Sequence, residues 1–226
     1  MIYTIVIFSS LTDGTISNLS GEPVGMTERD LIIKRFVSSP NDTTVYVLIN
    51  DNEAAVVDVA DAYGDIKNTL NELGATLKYI LVTHGHRSHI NSLSMLRERE
   101  QGMICLHEQD SHFLKEIGDN PEPDMFVKDN QSLKLGSTVI KVLHTPGHTM
   151  GSLCFHLRDA NSLFTGDTLL KREFGKIWGP HSMGLMLRSL KRLNSVIPPK
   201  TTVYPGHGPS TTMSAEAWLD ALDNLS

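Results

Sequence analysis

The sequence predicts an α/β chain of the α+β kind, a sandwich of two sheets covered by helices. Three observations predict it. Short β-branched strand candidates alternate with amphipathic helix candidates in both halves, the pattern of sheets that bury their outer faces under helices. The 226 residues, 40% hydrophobic and 20% charged, suffice for one core of ordinary size and do not suit a disordered chain. No repeat at a solenoid period, low-complexity run or linker divides the chain, so residues 1–226 read as one domain.

In chain order, Ile2–Phe8 is a short apolar strand candidate, followed by a polar stretch with Gly14, Gly21, Pro23 and Gly25. Residues 1–30 therefore read as a strand and loop extension that packs on the domain, covers its site or forms a dimer contact. Val45–Ile49 and Ala54–Val59, split by Asn50-Asp51-Asn52-Glu53, carry a hairpin signal. Ile66, Leu70 and Leu73 recur at helical spacing with Gly74 as the C-cap. Tyr79–Val82 is a strand, and Ile90, Leu93 and Leu96 mark a helix ending at Gly102. Met103–Leu106 is a strand, and Phe113, Leu114 and Ile117 suit a helix ended by Gly118. The second half reads as strands Val139–Leu143, Ser152–Leu157 and Ser162–Thr165. A helix on Met183, Leu187, Leu190 and Leu193 follows, closed by Pro198-Pro199. Strand Val203-Tyr204 and a helix over Ala215–Leu225 complete the chain.

Composition removes several functions. Lys+Arg is 20 and Asp+Glu is 26, a net charge of −6, which argues against a nucleic-acid partner, since that needs clustered positive charge. No apolar run is long enough for a membrane helix, and Ile2–Phe8 lacks the flanks of a signal peptide. Cys105 and Cys154 are too few for a disulfide framework or an all-thiolate zinc site. They read as small buried residues in a reduced, cytoplasmic protein.

The chemistry sits in the ten histidines. Four segments share one pattern, an apolar strand and then a turn bearing a metal-ligand residue. They are Leu81–His89 with His84, His86 and His89; Leu143–Thr149 with His148; Leu163–Thr168 with Asp167; and Val203–Pro209 with His207. If the strands lie side by side, all six side chains meet at one sheet edge. Imidazole and carboxylate are the donors that Zn²⁺ and non-haem iron take. A lone H-x-H is weak evidence, whereas H-x-H-x-x-H with three further ligand-bearing turns in order is strong. His144 reads as a strand-end residue or a hydrogen-bond donor behind the ligands, and His107, His112 and His156 as non-ligands. His181 is a pocket or helix-start residue, and Ser88 a helix N-cap.

On these motifs the chain, from about Val45 to its end, resembles the metallo-β-lactamase-fold hydrolase superfamily. It is most similar to the glyoxalase II-type thioesterases. The resemblance implies a four-layered αββα sandwich with metals at one sheet edge. His84, His86 and His148 would hold the first ion, Asp167 would bridge and orient the nucleophile, and His89 and His207 would serve the second. One position departs: the family pattern is H-x-H-x-D-H, and Ser88 stands where the aspartate ligand belongs. Serine is neutral and a poor ligand, so the expectation is one or two zinc ions with the second site weakened, and iron as the alternative metal. Gly175-Lys176-Ile177-Trp178 resembles the segment that holds the glutathione carboxylate in glyoxalase II. Lys176 and Trp178 would therefore bind a small, anionic substrate. The chain lacks the longer C-terminal extension of that enzyme, which counts against glutathione itself.

The leading expectation is a hydrolase of a thioester or ester, with a lactone also allowed. A second is a mononuclear iron oxygenase of the persulfide dioxygenase type on His84, His148 and Asp167. A third is a degenerate metal-binding member, because of Ser88. A β-lactamase, a flavodiiron protein, with H-x-E at the first motif, and a nuclease with inserted domains fit less well. A homodimer is compatible with the sequence.

Overall fold

The structure, a computed structural model, describes residues 5–8, 31–116 and 121–224. Among these residues there are two sheets. The first holds, in spatial order, β1 (Ile5–Phe8), β2 (Leu31–Ser38), β3 (Thr43–Asn50), β4 (Glu53–Val57), β5 (Thr76–Leu81), β6 (Met103–Leu106) and β7 (Met125–Phe126). The second holds β8 (Ser132–Leu135), β9 (Thr138–His144), β10 (Leu153–Leu157), β11 (Ser162–Gly166), β12 (Thr202–Pro205) and β13 (Thr211–Thr212). The helices are α1 (Tyr63–Leu73), α2 (Arg87–Ile90), α3 (Leu93–Glu100) and α4 (Pro180–Val196).

Strand alternation builds the layers. In β3, Val45, Val47 and Ile49 face outward and pack with Ile66 and Leu70 of α1 and Leu93 and Leu96 of α3. Tyr46 and Leu48, pointing the other way, meet Phe155, Phe164 and Tyr204 between the sheets. Behind the second sheet, Leu143, Cys154, Leu163 and Val203 pack on Met186, Leu190, Leu193 and Ile197 of and beside α4. The result is the αββα sandwich. Burying each such aliphatic side chain is worth about 1.5–3 kcal/mol relative to leaving it exposed.

Local signals explain most elements. The β3–β4 hairpin pairs Asn50 with Glu53, and the two turn residues Asp51 and Asn52 take φ of 50° and 62°. This is the twist a two-residue hairpin turn favours. Gly74 caps α1 in the left-handed region, as expected, donating to the carbonyls of Asn71 and Leu70. β4, β5 and β6 run parallel, as do β11 and β12, so their C-terminal ends lie together and carry the residues after each strand.

Several expectations are corrected. The helix through Ile90 and Leu96 is two pieces, α2 and α3, closed by Gln101 in the left-handed region rather than by Gly102. Gly102 is tied to packing instead, because a Cβ there would lie 2.6 Å from Leu77 Cγ. The segment around Phe113 is a 3-10 helix, Glu108–Glu116, and the chain end folds as 3-10 turns Met213–Ala215 and Ala217–Asn224. In α4 the buried stripe is Met186, Leu190 and Leu193, while Met183 is exposed. Ser88 is not an N-cap: His86 holds that position and Ser88 lies inside α2. β2, β7, β8 and β13 were not anticipated. The loop expected after Phe8, with Gly118 and Leu225, falls outside the described residues.

Tyr46 joins the sheets. Its ring packs edge-on against Phe164 and Tyr204, at 5.1 and 5.5 Å, and its hydroxyl donates to the Pro205 carbonyl at 2.8 Å. Tyr46→Phe should cost about 1–2 kcal/mol, because it leaves a buried carbonyl unpaired. Urea unfolding monitored by circular dichroism would read this loss, and an unchanged midpoint would contradict it.

Candidate metal centre

Every candidate side chain follows a strand. His84, His86 and His89 come after β5, His148 after β9, Asp167 after β11 and His207 after β12. The structure brings all six together. His84, His86 and His148 each offer one donor atom within 4.8 Å of the others, and so do His84, His89 and Asp167. His86 Nδ1 lies 2.9 Å from His148 Nε2, and His89 Nε2 lies 3.2 Å from His207 Nε2. The Asp167 carboxylate spans both groups. Its Oδ2 is 3.4 Å from His148 Nε2 and 3.6 Å from His207 Nε2, and its Oδ1 is 3.7 Å from His89 Nε2.

Hydrogen bonds set which ring nitrogens are free. A carboxylate and a carbonyl only accept. Asp58 Oδ2, 2.8 Å from His89 Nδ1, therefore fixes the proton there. The Lys176 carbonyl does the same for His148 Nδ1 at 2.9 Å. Thr83 Oγ1 gives its proton to Asp58 Oδ2 at 2.8 Å, so it accepts from His84 Nδ1 at 3.0 Å. All three rings then turn an Nε2 lone pair into the cluster. His84 Nε2 and Asp167 Oδ1 are buried with no hydrogen-bond partner. Converging lone pairs beside an unpaired carboxylate oxygen repel one another unless a cation lies among them. The donor set therefore fits a divalent metal.

The titration behaviour of His84, His86 and His148 agrees. Burial, followed by repulsion from the neighbouring imidazoles, holds His84 well below the usual histidine range. Burial and His148 lower His86 to about 4. Burial also lowers His148, against the pull of Asp167. Burial acts downward on His89 too, but Asp58 and Asp167 outweigh it and raise that ring.

The turns are shaped for close approach. A Cβ at Gly206 would stand 2.6 Å from Asp167 Oδ1 and 2.8 Å from His89 Cε1, so only glycine lets the His207 turn pass the carboxylate. The first sheet clasps that turn: Thr44 N donates to the Gly206 carbonyl at 2.7 Å and Arg35 to the Gly208 carbonyl at 2.9 Å. Ser88 is half-buried on α2, one residue before His89. Trp178 is exposed near the His86 ring, and the Lys176 ammonium lies over the indole at 4.3 Å. His144 ends β9, as expected, with its ring on the Met150 carbonyl and stacked on His107 at 4.0 Å. Cys105 and Cys154 are free and buried.

Two supporting residues were missed in the sequence. Asp58 follows β4 and holds Thr83 and His89. Asp110, buried after β6, accepts from Gly85 N at 2.9 Å, Gly151 N at 2.7 Å and Thr149 Oγ1 at 2.7 Å, tying together the loops of His86 and His148. Both lie just beyond apolar strands. The strand-then-ligand pattern would have found them had acids been read alongside histidines.

Comparison with known proteins gives one picture. Residues 39–225 match the model of the metallo-beta-lactamase superfamily. The uncharacterized protein ML0493 of Mycobacterium leprae is 33% identical over 82% of this chain and 95% of its own length. A hydroxyacylglutathione hydrolase of Pelagibacter ubique is 34% identical over 74% of this chain and 66% of that enzyme. The crystal structure of the BLEG-1 B3 metallo-beta-lactamase superposes with a TM-score of 0.73 at 29% identity, covering 82% of this chain and 96% of that one.

Two outcomes are expected from this geometry. Asp58→Asn releases the proton position of two rings at once and should weaken zinc binding about 10–100-fold; competition with a chromogenic chelator measures it, and an unchanged affinity would refute the role given to Asp58. In the metal-free chain, unfolded imidazoles titrate near about 6.5, above the lowered values of His84, His86 and His148. The unfolded state then binds more protons below that pH, so stability falls as pH drops from about 6.5 towards 4. His89, with its raised value, opposes the trend. A urea midpoint that stays flat or rises between pH 7 and 5 would contradict the balance.

Proposed function

The chain belongs to the metallo-β-lactamase superfamily, and on the geometry of its sheet edge we propose that it is a metal-dependent hydrolase of a thioester or ester. The observation that carries the reading is the convergence of three oriented imidazole lone pairs on the Asp167 carboxylate, whose Oδ1 is buried without a hydrogen bond. His84, His86, His148 and Asp167 would hold the first ion, and His89, His207 and Asp167 the weaker second. When bound, such an ion lowers the pKa of water towards about 7 and polarises a carbonyl. Asp167 orients the attacking water through its carboxylate, a task it performs without a second acid because position 88 is serine. Asp58 keeps His84 and His89 in the donor tautomer, and Asp110 holds the loops of His86 and His148 at their spacing. Trp178 stands near His86 as a substrate contact, with the Lys176 ammonium over its ring. The two buried thiols suit a cytoplasmic setting, and no helix among the described residues is long and apolar enough to cross a membrane.

Zinc is the metal we assign. Elemental analysis of the native chain should give about one equivalent of zinc, rising towards two in Ser88→Asp. Thioester hydrolysis should accompany the loaded protein and vanish in Asp167→Ala. One iron with oxygen uptake on a persulfide would replace this reading by the oxygenase. No metal after incubation with zinc or iron would overturn both.

A further inference from the structure

Beside the metal centre lies a cavity of about 450 Å³, bordered by His86 and His148. Its walls are Phe113, Met150 and Trp178, with Gln109, His112 and Ser182 at other points of the lining. We infer that the substrate group occupying this cavity is uncharged and apolar, an aromatic or branched aliphatic group, and not a glutathione-like peptide. The inference rests on the hydrolase reading and names its substrate class.

The first ground is charge. Among the described lining residues there is no lysine or arginine. The one carboxylate, Asp110, is buried, and both of its oxygens are held by Gly85 N, Gly151 N and Thr149 Oγ1. Away from the metal ligands, a carboxylate entering here would find no lysine or arginine in the lining and an ammonium no free carboxylate, which is costly. Lys176, expected from the sequence to grip a substrate carboxylate, is absent from the lining and backs the Trp178 ring at 4.3 Å. A glutathione portion brings two carboxylates and an ammonium, none of which this wall serves.

The second ground is the apolar surface itself. Trp178 is 61% exposed and Met150 41% exposed. Large apolar side chains gathered at the mouth of a cavity are a surface that a ligand covers favourably. Phe113 is held as a firm wall. Its ring lies tilted against His112 at 4.1 Å and stands edge-on to His86 at 5.5 Å. It can do so because residue 85 has no side chain: a Cβ there would come within 2.4 Å of Phe113 Cδ2. The glycine between His84 and His86 thus brings an aromatic face up to the metal-ligand loop.

The test uses the full, zinc-loaded chain and two thioesters of one neutral thiol, N-acetylcysteamine, carrying a phenylacetyl or a succinyl group, with S-lactoylglutathione as the charged-thiol control. KM for the phenylacetyl thioester should be about tenfold below that of either charged substrate. Phe113→Ala and Trp178→Ala should each raise that KM about tenfold while kcat stays within about threefold, and Phe113→Leu should restore most of the loss. Calorimetry with the non-hydrolysable thioether of the phenylacetyl compound gives a readout independent of turnover; its binding should weaken about tenfold in Trp178→Ala. Matching zinc content and circular dichroism identify variants that have not folded, and Phe113→Leu serves if an alanine variant fails. Preference for S-lactoylglutathione, or alanine variants within twofold of wild type, would overturn the inference and leave the hydrolase standing. Binding of the thioether with no thioester turned over would overturn the hydrolase and leave the apolar cavity standing. Neither binding nor turnover would overturn both.

Discussion

The unpaired atoms His84 Nε2 and Asp167 Oδ1 set the terms for the rest of the structure. Each is buried without a hydrogen bond, a condition that costs about 1–3 kcal/mol and more for a charged group. Folding brings them together nonetheless, because their neighbours are fixed by strand ends and not by their own preferences. β5 and β11 belong to different sheets, so the cluster closes only when the two sheets pack face to face. The large apolar layer between them, with Tyr46, Phe155 and Phe164 at its centre, offsets the electrostatic penalty of the edge. A cation at the edge removes that penalty, which makes metal binding and folding two parts of one balance.

The support around the cluster follows from this strain. Asp58 and Asp110 are acids beyond β4 and β6, the two parallel strands that flank β5, and each is fully committed to holding other groups. Asp58 sets the proton positions of His84, through Thr83, and of His89, so that lone pairs face inward. Asp110 fastens the loops of His86 and His148 through backbone amides and Thr149. The clasp of β3 on the Gly206–Gly208 turn fixes His207 from the far side. Ser88 lies in α2 one residue before His89, apart from the turn that carries His148.

Much of this was legible in the sequence, and for a physical reason. A strand followed by a glycine-bearing turn and a ligand residue is short and local, so His84, His86, His148, Asp167 and His207 could be placed without knowing any contact. The β3–β4 hairpin and the Gly74 cap were legible for the same reason: backbone chemistry at one or two residues decides them. Elements decided by tertiary packing were not. β2 and β8 carry mixed polar and apolar residues and form only by pairing with β3 and β9. Met186 displaces Met183 from the core because α4 is rotated by what it packs on, and the 3-10 segments near Phe113 and at the chain end share their apolar pattern with an α-helix. Of the apolar cavity only Trp178 was legible, since Phe113 and Met150 come from separate stretches.

The central claim is that one ion sits among the donor atoms of His84, His86, His148 and Asp167. Anomalous diffraction from crystals of the zinc-loaded chain tests it directly. The account predicts a peak about 2.0–2.2 Å from His84 Nε2, His86 Nδ1, His148 Nε2 and an Asp167 oxygen. A zinc held elsewhere, for instance at the His107–His144 stack, with His84 and Asp167 still bare, would contradict it.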